Sequence, residues 1–331
     1  MPRNDFNGDG RSDVLWLLNE HSAVSNWLST PQGGFAINDD VAFNWLPAWA
    51  EFVAAGDFNG DQRSDMLWRY DLMWWYEPGA GVPGYFYEMT LGEPGGGLTI
   101  DSNGISPGAP RLPLVTDPGW RVASTGDFNG DGYDDLLWRH DNGTISNWLG
   151  SSTGDFQIND SNAIVAVSNS WHVVGAGDFN GDGHSDILWR SDSGWISNWL
   201  GTDDGGWIIN DANAMTHYGP DELHIGDFNS DGRDDLLLRG SDGALSMSAA
   251  FSDGSFDLDW GPGFVANVSA NWQIAEVGDY DGNGAADILW REQGGAISNW
   301  LGMGDGYTFN INDVNAFHQV VTDWRTTGEL F

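Results

Sequence analysis

One short acidic motif occurs six times along the chain, and it constrains the fold more than any other feature. The motif begins with an aspartate at positions 5, 57, 127, 178, 227 and 279, and its fourth copy reads GDFNGDGHSDILW. Most copies are about 50 residues apart, with one longer unit of 70 residues between the second and the third. A repeat of roughly 40–50 residues is typical of β-propeller blades.

Further motifs keep the same period. A Trp-Arg pair follows most of the loops, and then comes the segment SNWL, at residues 25–28, 146–149, 197–200 and 298–301. An aromatic-led segment containing IND follows, at residues 35–39, 156–160, 207–211 and 309–313, before a last Trp-led segment. Each piece is short, rich in β-branched and aromatic residues and bounded by turn residues, which predicts four strands per repeat.

The repeats predict an all-β chain, folded as a single β-propeller domain over residues 1–331 with six four-stranded blades. Seven blades are less favoured, because only six acidic loops occur. The C-terminal segment TDWRTTGELF matches the Trp-led strand that the first repeat lacks. We therefore expect it to pair with the N-terminal blade and close the ring, which removes free sheet edges. The long second unit is interpreted as one blade with an insertion at about residues 79–113.

Composition narrows the range of partners. With 40% hydrophobic residues the chain can bury a core, while 49 acidic against 12 basic residues give a net charge of −37. No basic footprint exists for nucleic acid, and no apolar run of about 18 residues predicts membrane insertion. The N-terminus as given predicts no signal peptide. The absence of Cys excludes disulfides and thiolate chemistry.

The acidic loops place oxygen ligands on alternate residues of a tight turn. Carboxylates stand at loop positions one, five and nine, an asparagine at three and a glycine at six, and a backbone carbonyl is expected from position seven. Such hard ligands suit Ca²⁺. Position twelve is Trp or Leu rather than the Glu of an EF-hand, so the aspartate at position nine is expected to close the site. A metal-free Asp/Asn/Gly turn is the alternative interpretation.

About six Ca²⁺ ions are therefore predicted, one in each loop. Gln62 replaces the turn glycine of the second loop, and the sixth loop exchanges its Asp and Asn. The predicted ligand residues are Asp5, Asn7, Asp9, Arg11 and Asp13; Asp57, Asn59, Asp61, Arg63 and Asp65; Asp127, Asn129, Asp131, Tyr133 and Asp135; Asp178, Asn180, Asp182, His184 and Asp186; Asp227, Asn229, Asp231, Arg233 and Asp235; and Asp279, Asp281, Asn283, Ala285 and Asp287.

These loops resemble the FG-GAP and VCBS repeats, which are calcium-binding propeller repeats of integrin α-chain heads and of bacterial surface proteins. The resemblance covers essentially the whole chain. It implies a propeller with Ca²⁺ in a hairpin loop between the first two strands of each blade. The family also includes fungal lectins with sugar pockets between blades. Integrin-type propellers have seven blades, whereas six loops are counted here.

No catalytic motif is found, and the seven histidines fall at different repeat positions, so the chain is not expected to be an enzyme. The tryptophans of SNWL are expected to fill the core rather than stack on sugars. The aromatic residues of the second unit are candidates for ligand binding, although they could instead cap a blade. These candidates are Trp74, Trp75, Tyr76, Tyr85 and Tyr87.

Two functions remain open. The first is a calcium-stabilised binding module, lectin-like or adhesive, that recognises carbohydrate or protein at the cell surface or in the extracellular space. The alternative is a non-catalytic scaffold domain of a larger surface protein or secreted enzyme. An extracellular location is expected because such modules often bind Ca²⁺ at about 10⁻⁴–10⁻³ M.

Overall fold

The computed structural model is a ring of six antiparallel sheets, and it describes residues 4–18, 23–47, 50–71, 85–98, 112–113, 115–217, 222–257 and 263–329. Within each sheet the strands follow one another from the inner edge to the outer edge. The inner strands of successive blades contact one another around the centre of the ring. The all-β, six-bladed propeller predicted from the repeats is therefore confirmed.

The first three blades contain twelve strands and two short helices. Blade one has β1 (Val14–Leu18), β2 (Ala23–Ser29), β3 (Phe35–Ile37), α1 (Asp39–Ala42) and β4 (Asn44–Trp45). Blade two has β5 (Ala50–Gly56), β6 (Asp65–Asp71) and β7 (Tyr85–Thr90). Blade three has β8 (Trp120–Gly126), β9 (Asp135–His140), β10 (Thr144–Leu149), β11 (Gln157–Ile158), α2 (Asp160–Ala163) and β12 (Val165–Ala166).

The last three blades repeat this order. Blade four has β13 (Trp171–Gly177), β14 (Asp186–Ser191), β15 (Trp195–Gly201), β16 (Trp207–Ile209), α3 (Asp211–Ala214) and β17 (Thr216–His217). Blade five has β18 (Glu222–Gly226), β19 (Asp235–Arg239), β20 (Ala244–Ser248) and β21 (Gly263–Asn267). Blade six has β22 (Trp272–Gly278), β23 (Asp287–Glu292), β24 (Ala296–Gly302), β25 (Phe309–Ile311), α4 (Asp313–Ala316) and β26 (His318–Gln319), and β27 (Trp324–Thr326) and a 3₁₀ turn (Thr327–Glu329) follow. No helix in the described ranges is long and apolar enough to span a bilayer.

The ring is closed by the last strand of the chain. β27 pairs antiparallel with β1, with Thr326 opposite Trp16 and Trp324 opposite Leu18. β27 thereby takes the inner position of blade one, which β5, β8, β13, β18 and β22 take in the other blades. The structure therefore confirms the ring closure that the C-terminal segment predicted.

The insertion predicted at residues 79–113 is partly a strand of the blade itself. β7 pairs along its whole length with β6, as the third strand of the other blades does. Gly92 and Leu98 then form an isolated bridge within the same range. The interpretation of residues 85–90 as inserted sequence is therefore corrected, because their alternating side chains pair with the blade. Residues 79–84 and 99–111 lie outside the described residues.

Aromatic side chains fill the gaps between neighbouring blades. The aromatic residue at loop position two is buried in all six loops. In five interfaces it contacts the aromatic residue that precedes IND, or its equivalent, in the next blade: the pairs are Phe58–Phe156, Phe128–Trp207, Phe179–Phe256, Phe228–Phe309 and Tyr280–Phe35, at 5.2–6.2 Å between ring centroids. Edge contacts of this kind add to the burial of apolar area.

The tryptophans of SNWL belong to the core, as expected. Trp199 stands 5.3 Å from Trp189 of the same blade, and both side chains are buried. Trp16–Trp27, Trp138–Trp148 and Trp290–Trp300 repeat this contact at 4.7–5.2 Å. These rings are packed inside the blades rather than presented as stacking surfaces.

The Trp-Arg motif joins one blade to the next. The guanidinium of Arg139 stacks 5.2 Å over the ring of Trp189 in the following blade, and it donates to the carbonyl of Trp171 there. Arg291 over Trp16 repeats the stacking at 5.4 Å, and so does Arg239 over Trp290 at 5.3 Å, although Arg239 follows a leucine. Arginine suits this position because its planar cation can stack and donate hydrogen bonds at once.

The asparagine of SNWL forms a second contact between blades. Asn198 is fully buried, and its amide donates to the carbonyl of Gly254 in the next blade at 2.8 Å. Its side-chain oxygen accepts from Asn210, the asparagine of IND, at 3.0 Å. Asn26, Asn147 and Asn299 donate in the same way to Gly96, Gly205 and Gly33. The serine of SNWL pairs with the aspartate of IND, as Ser197 does with Asp211.

Methionine replaces this asparagine in the two blades that lack SNWL. Met247 faces Leu237 across the strand pair, as Asn198 faces Leu188. Met89 faces Leu67 in the same way in blade two. Both methionines are buried. An apolar contact thus takes the place of the amide, and these blades also lack IND, whose asparagine would have no partner.

We expect Asn198→Met to lower the free energy of unfolding by about 1–3 kcal/mol, because the buried carbonyl of Gly254 would lose its donor. Denaturant unfolding monitored by tryptophan fluorescence would measure this change. The control is Met247→Leu at the equivalent position of blade five, which conserves volume and should cost less than about 1.5 kcal/mol. Equal losses in the two variants would show that the amide contact is not what holds the interface.

Candidate metal-binding loops

The six acidic loops lie at one face of the ring. Five of them lead from the inner strand of their blade to the second strand, whereas the first loop precedes β1, whose inner neighbour is β27. In all six, the aspartate at position nine stands at or immediately before the start of that second strand. All six of these closing aspartates are fully buried: Asp13, Asp65, Asp135, Asp186, Asp235 and Asp287. The loops therefore present carboxylates at equivalent places around the ring.

The fourth loop illustrates how the backbone arranges the ligands. Asp178 at position one accepts hydrogen bonds from the backbone N–H groups of Gly181 at 2.7 Å and Gly183 at 2.9 Å, which fold the loop around its carboxylate. Asn180 accepts from the N–H of Asp182 at 2.9 Å. The side chains of positions one, three and five are thus turned toward the loop interior, where an ion would bind.

The closing aspartate is held by two backbone groups. Asp186 accepts from the N–H of Phe179 and from the N–H of Gly201, each at 2.9 Å. Desolvation in this buried position raises the pKa of its carboxyl to about 8. Burial likewise raises the pKa of the equivalent carboxyls to about 8 in Asp13, Asp65, Asp135 and Asp287, and to about 7 in Asp235. A buried carboxylate of this kind is stabilised in its charged form by a bound cation.

The residues fit a hard divalent cation. Asp279, Asp281 and Asp287 of the sixth loop bring carboxylate oxygens within 4.8 Å of one another, so that one ion could contact all three. In the second loop, Asp65 Oδ2 is buried and has no hydrogen-bond partner within the described ranges. Carboxylate and amide oxygens in this number are the donor set that Ca²⁺ prefers. A metal ion can therefore be held by one acidic cluster as the structure stands.

Two loops depart from the glycine pattern. Gln62 takes the place of the glycine at position six and adopts φ +67°, while the glycines at this position in the other five loops have φ between +83° and +89°. Ser230 takes the place of the glycine at position four with φ +56°. Left-handed backbone is unfavourable for a residue with a Cβ, so both positions carry a local strain.

Successive loops are hydrogen-bonded to one another around the whole ring. The backbone N–H at position eight donates to the backbone carbonyl of position one in the preceding blade at 2.7–2.9 Å. The six donor–acceptor pairs are Ser12–Asp279, Ser64–Asp5, Asp134–Asp57, Ser185–Asp127, Asp234–Asp178 and Ala286–Asp227. Each first ligand residue is thereby fixed to the neighbouring loop, adjacent to that loop's closing ligand.

Side chains at position seven pack against the preceding loop. A Cβ built on Gly60 would stand 2.5 Å from the ring of Tyr133, and one on Gly130 would stand 2.9 Å from His184. The fifth loop has Ser230 instead of glycine at position four, and position seven of the sixth loop, which would pack against it, is the small residue Ala285. The arginines at this position (Arg11, Arg63 and Arg233) form ion pairs with the aspartate at position five of their own loop.

The aromatic candidates of the second unit are only partly described. Tyr87 is buried, with its ring 5.1 Å from Trp138 of the next blade, and burial raises its pKa to about 12. The prediction that Tyr87 stacks on a ligand is therefore corrected, because its ring fills the space between blades two and three. Tyr85 is half-buried beneath the guanidinium of Arg69, at 4.6 Å. Trp74, Trp75 and Tyr76 lie outside the described residues.

Neither the hydrogen bonds between loops nor the contacts between the asparagines of SNWL and IND were predicted from the sequence. The loop-to-loop bonds involve backbone groups, which leave no side-chain signature. The asparagine pairs do leave one, since SNWL and IND occur together in blades one, three, four and six and are both missing from blades two and five. Their joint absence is the signal that would have indicated contact.

We expect Gly60→Ser to destabilise the protein by about 1–3 kcal/mol, because its Cβ would overlap the ring of Tyr133. Combining it with Tyr133→Ala recreates the Ser230–Ala285 pair found naturally between blades five and six. A double-mutant cycle on the free energy of unfolding should therefore give a favourable coupling of about 1 kcal/mol or more. Additive losses would show that the two positions do not constrain each other.

Comparison with known proteins addresses the repeat and the fold. The profile of the FG-GAP-like repeat matches residues 5–68 and 127–189. No curated protein sequence matches the chain. The Tc holotoxin pore of Photorhabdus luminescens contains a similar structure, at 15% identity and a TM-score of 0.50; the match covers 94% of this chain and spans only 15% of the toxin chain.

Enzymes are also among the similar structures, which corrects one expectation. A periplasmic gluconolactonase of Pseudomonas aeruginosa is similar at 12% identity and a TM-score of 0.48, over 91% of this chain and 82% of its own. A Bacteroides uniformis protein assigned provisionally as a 6-phosphogluconolactonase is similar at 12% identity and a TM-score of 0.45, over 96% and 100%. The prediction that the chain is not an enzyme is therefore withdrawn, although likenesses this distant assign it no activity. What is established is that the chain carries FG-GAP-like repeats in two regions and folds as a six-bladed β-propeller.

Proposed function

We propose that this protein is a calcium-stabilised binding module that acts at the cell surface or in the extracellular space and recognises carbohydrate. The observation that carries the proposal is a polar cleft between blades three and four, next to the fourth acidic loop. The cleft has a volume of about 830 Å³, within the range of small-molecule sites. A protein ligand is the other partner that such a module could take.

The walls of the cleft carry groups suited to sugar hydroxyls. Trp207 lines one side of the cleft with a half-buried ring, and its indole N–H is fixed by the carbonyl of Ala163 at 3.0 Å. Asp204 also lines the cleft, and the hydroxyl of Thr202 donates to it at 2.7 Å and lowers the pKa of its carboxyl. An aromatic face beside an ionised carboxylate and amides is a common arrangement for binding sugars.

Calcium accounts for the concentration of acidic residues. Six divalent ions would offset 12 of the 37 excess negative charges of the chain. Each site would contribute about 2.7 kcal/mol when free Ca²⁺ is 100 times its dissociation constant. Six independent sites would then contribute on the order of 16 kcal/mol, which exceeds the whole stability of a typical domain. Sites of the weak extracellular type would need a location with abundant Ca²⁺.

We expect about six Ca²⁺ ions to bind per chain, and chelation to lower the melting temperature by tens of degrees or to unfold the protein. Calorimetric titration of the chelated protein would count the sites, and thermal unfolding with and without Ca²⁺ would measure the stabilisation. Asp186→Ala should remove one ion and cost a few kcal/mol, because it deletes the closing ligand of a single loop. A calcium-free protein that melts within a few degrees of the loaded one would contradict the stabilising role.

We expect a neutral glycan to bind in the cleft, and Asp204→Asn to weaken this binding about tenfold or more through loss of a charge-assisted hydrogen bond. A glycan array in the presence of Ca²⁺ would identify the glycan, and calorimetry would measure its affinity. The matched control is Asp253→Asn, which removes the same turn carboxylate in blade five, where Ser255 is its partner. An array without hits would favour a scaffold or a protein partner instead.

A further inference from the structure

A second cavity lies on the opposite face of the ring from the acidic loops. It has a volume of about 750 Å³ and spans blades five, six and one. Arg239, Arg291 and Arg325 line it, one from each of these blades. A cluster of three guanidiniums is unusual here, because the whole chain has only 12 basic residues against 49 acidic ones. The cavity is separate from the cleft between blades three and four.

Two of the guanidiniums are fixed in position by the neighbouring blade. Arg239 and Arg291 are 8% and 7% exposed, and they stack on Trp290 and Trp16 respectively. Arg239 donates to the carbonyl of Trp272, which uses part of a fork that has five N–H donors. The wall of the cavity is therefore built from preorganised cations rather than from mobile surface side chains.

The third guanidinium, that of Arg325, has no anionic partner among the described residues. Arg325 is exposed, and in the described part of the chain no hydrogen bond or ion pair involves its side chain. It stands on β27, whose pairing with β1 places it opposite Leu17. The other described arginines contact a carboxylate, a carbonyl or another group. A cation that is left unpaired in so acidic a chain is available to an external anion.

The two acidic residues of the cavity wall already have partners. Glu292 accepts hydrogen bonds from the backbone N–H of Gly294 and from the amide of Asn271. Glu222 contacts His224 at 3.2 Å and stands 4.0 Å from Arg239. Among the residues that line the cavity, three arginines stand beside two glutamates. The acidic loop of blade five is about 13 Å away along β19, beyond the screening length of physiological salt.

We propose that this cavity is a binding site for an acidic sugar, with the carboxylate of the ligand held by Arg325 and the adjoining guanidiniums. Arginine binds carboxylates through paired hydrogen bonds, and the exposed guanidinium of Arg325 has the donors for such a pair. The volume far exceeds that of a bare anion and fits a mono- or disaccharide. Gln273, Gln293 and Thr322 add amide and hydroxyl groups that can bond sugar hydroxyls.

Calorimetric titration of the full chain in excess Ca²⁺ tests the proposal. The probes are D-glucuronate, D-galacturonate and D-mannuronate, with D-glucose as the uncharged match and acetate as the bare carboxylate. We expect at least one uronate to bind, and any binding of glucose to be unaffected by Arg325→Gln. Arg325→Gln should lower uronate affinity about tenfold to a hundredfold, as expected for loss of a charge-assisted contact.

The control variant is Arg121→Gln. Arg121 follows the first tryptophan of β8 as Arg325 follows that of β27, and it is likewise exposed, but it pairs with Asp141 and lies outside the cavity. Unchanged affinity in this variant supports the site, whereas an equal loss in both variants would mean a general charge effect and overturn it. Failure of all three uronates, or acetate binding as tightly as the best uronate, would also overturn the assignment to an acidic sugar. Neutral-glycan binding in the other cleft is measured independently, so the two proposals can fail separately.

Discussion

The hydrogen bonds between neighbouring acidic loops are the contact on which the ring most depends. Each joins the backbone of a first ligand residue to the residue that precedes the closing ligand of the next loop. The bond from Ser12 to Asp279 links the first loop of the sequence to the last, so the set has no free end. Since every loop is bonded on both sides, a displacement of one first ligand is transmitted to the closing ligand beside it. The geometry of each loop is thus a property of the ring as well as of its own residues.

The second strand separates two kinds of charge in five of the six blades, because β1, with the sequence VLWLL, carries no arginine. β19 begins with the buried Asp235 of the loop face and ends with Arg239 at the opposite face, and β23 likewise begins at Asp287 and carries Arg291 near its end. The acid ends a loop built of carboxylates, and the arginine stacks on the next blade. A single five- or six-residue strand therefore carries a buried acid at the loop face and an arginine at the opposite face.

The repeat allowed most of the fold to be predicted from sequence, since a period of about 50 residues with four strand-like segments matches few architectures. The ring closure was also predictable, because the segment containing Trp324 matched a strand that the first repeat lacked. Blade two was harder to predict, because Glu88, Met89 and Thr90 occupy the places of Ser, Asn and Trp in the SNWL motif. Without this motif, the sequence did not identify β7 as the third strand of the blade. The prediction that Tyr87 binds a ligand was wrong for the same reason. Which side chains are buried between blades depends on the pairing register of the strand. That register cannot be predicted for a strand that lacks the SNWL motif.

The pairing of β27 with β1 has a consequence for synthesis. β1 leaves the ribosome about 300 residues before its inner neighbour, a delay of roughly 15–60 s at ordinary elongation rates. Throughout that interval its apolar sequence VLWLL has an unpaired backbone edge. The nearest identical β27 could then belong to another nascent chain on the same messenger, which would exchange strands between two copies. The short length of β27, only three residues, makes such an exchanged pairing weak enough to be reversed.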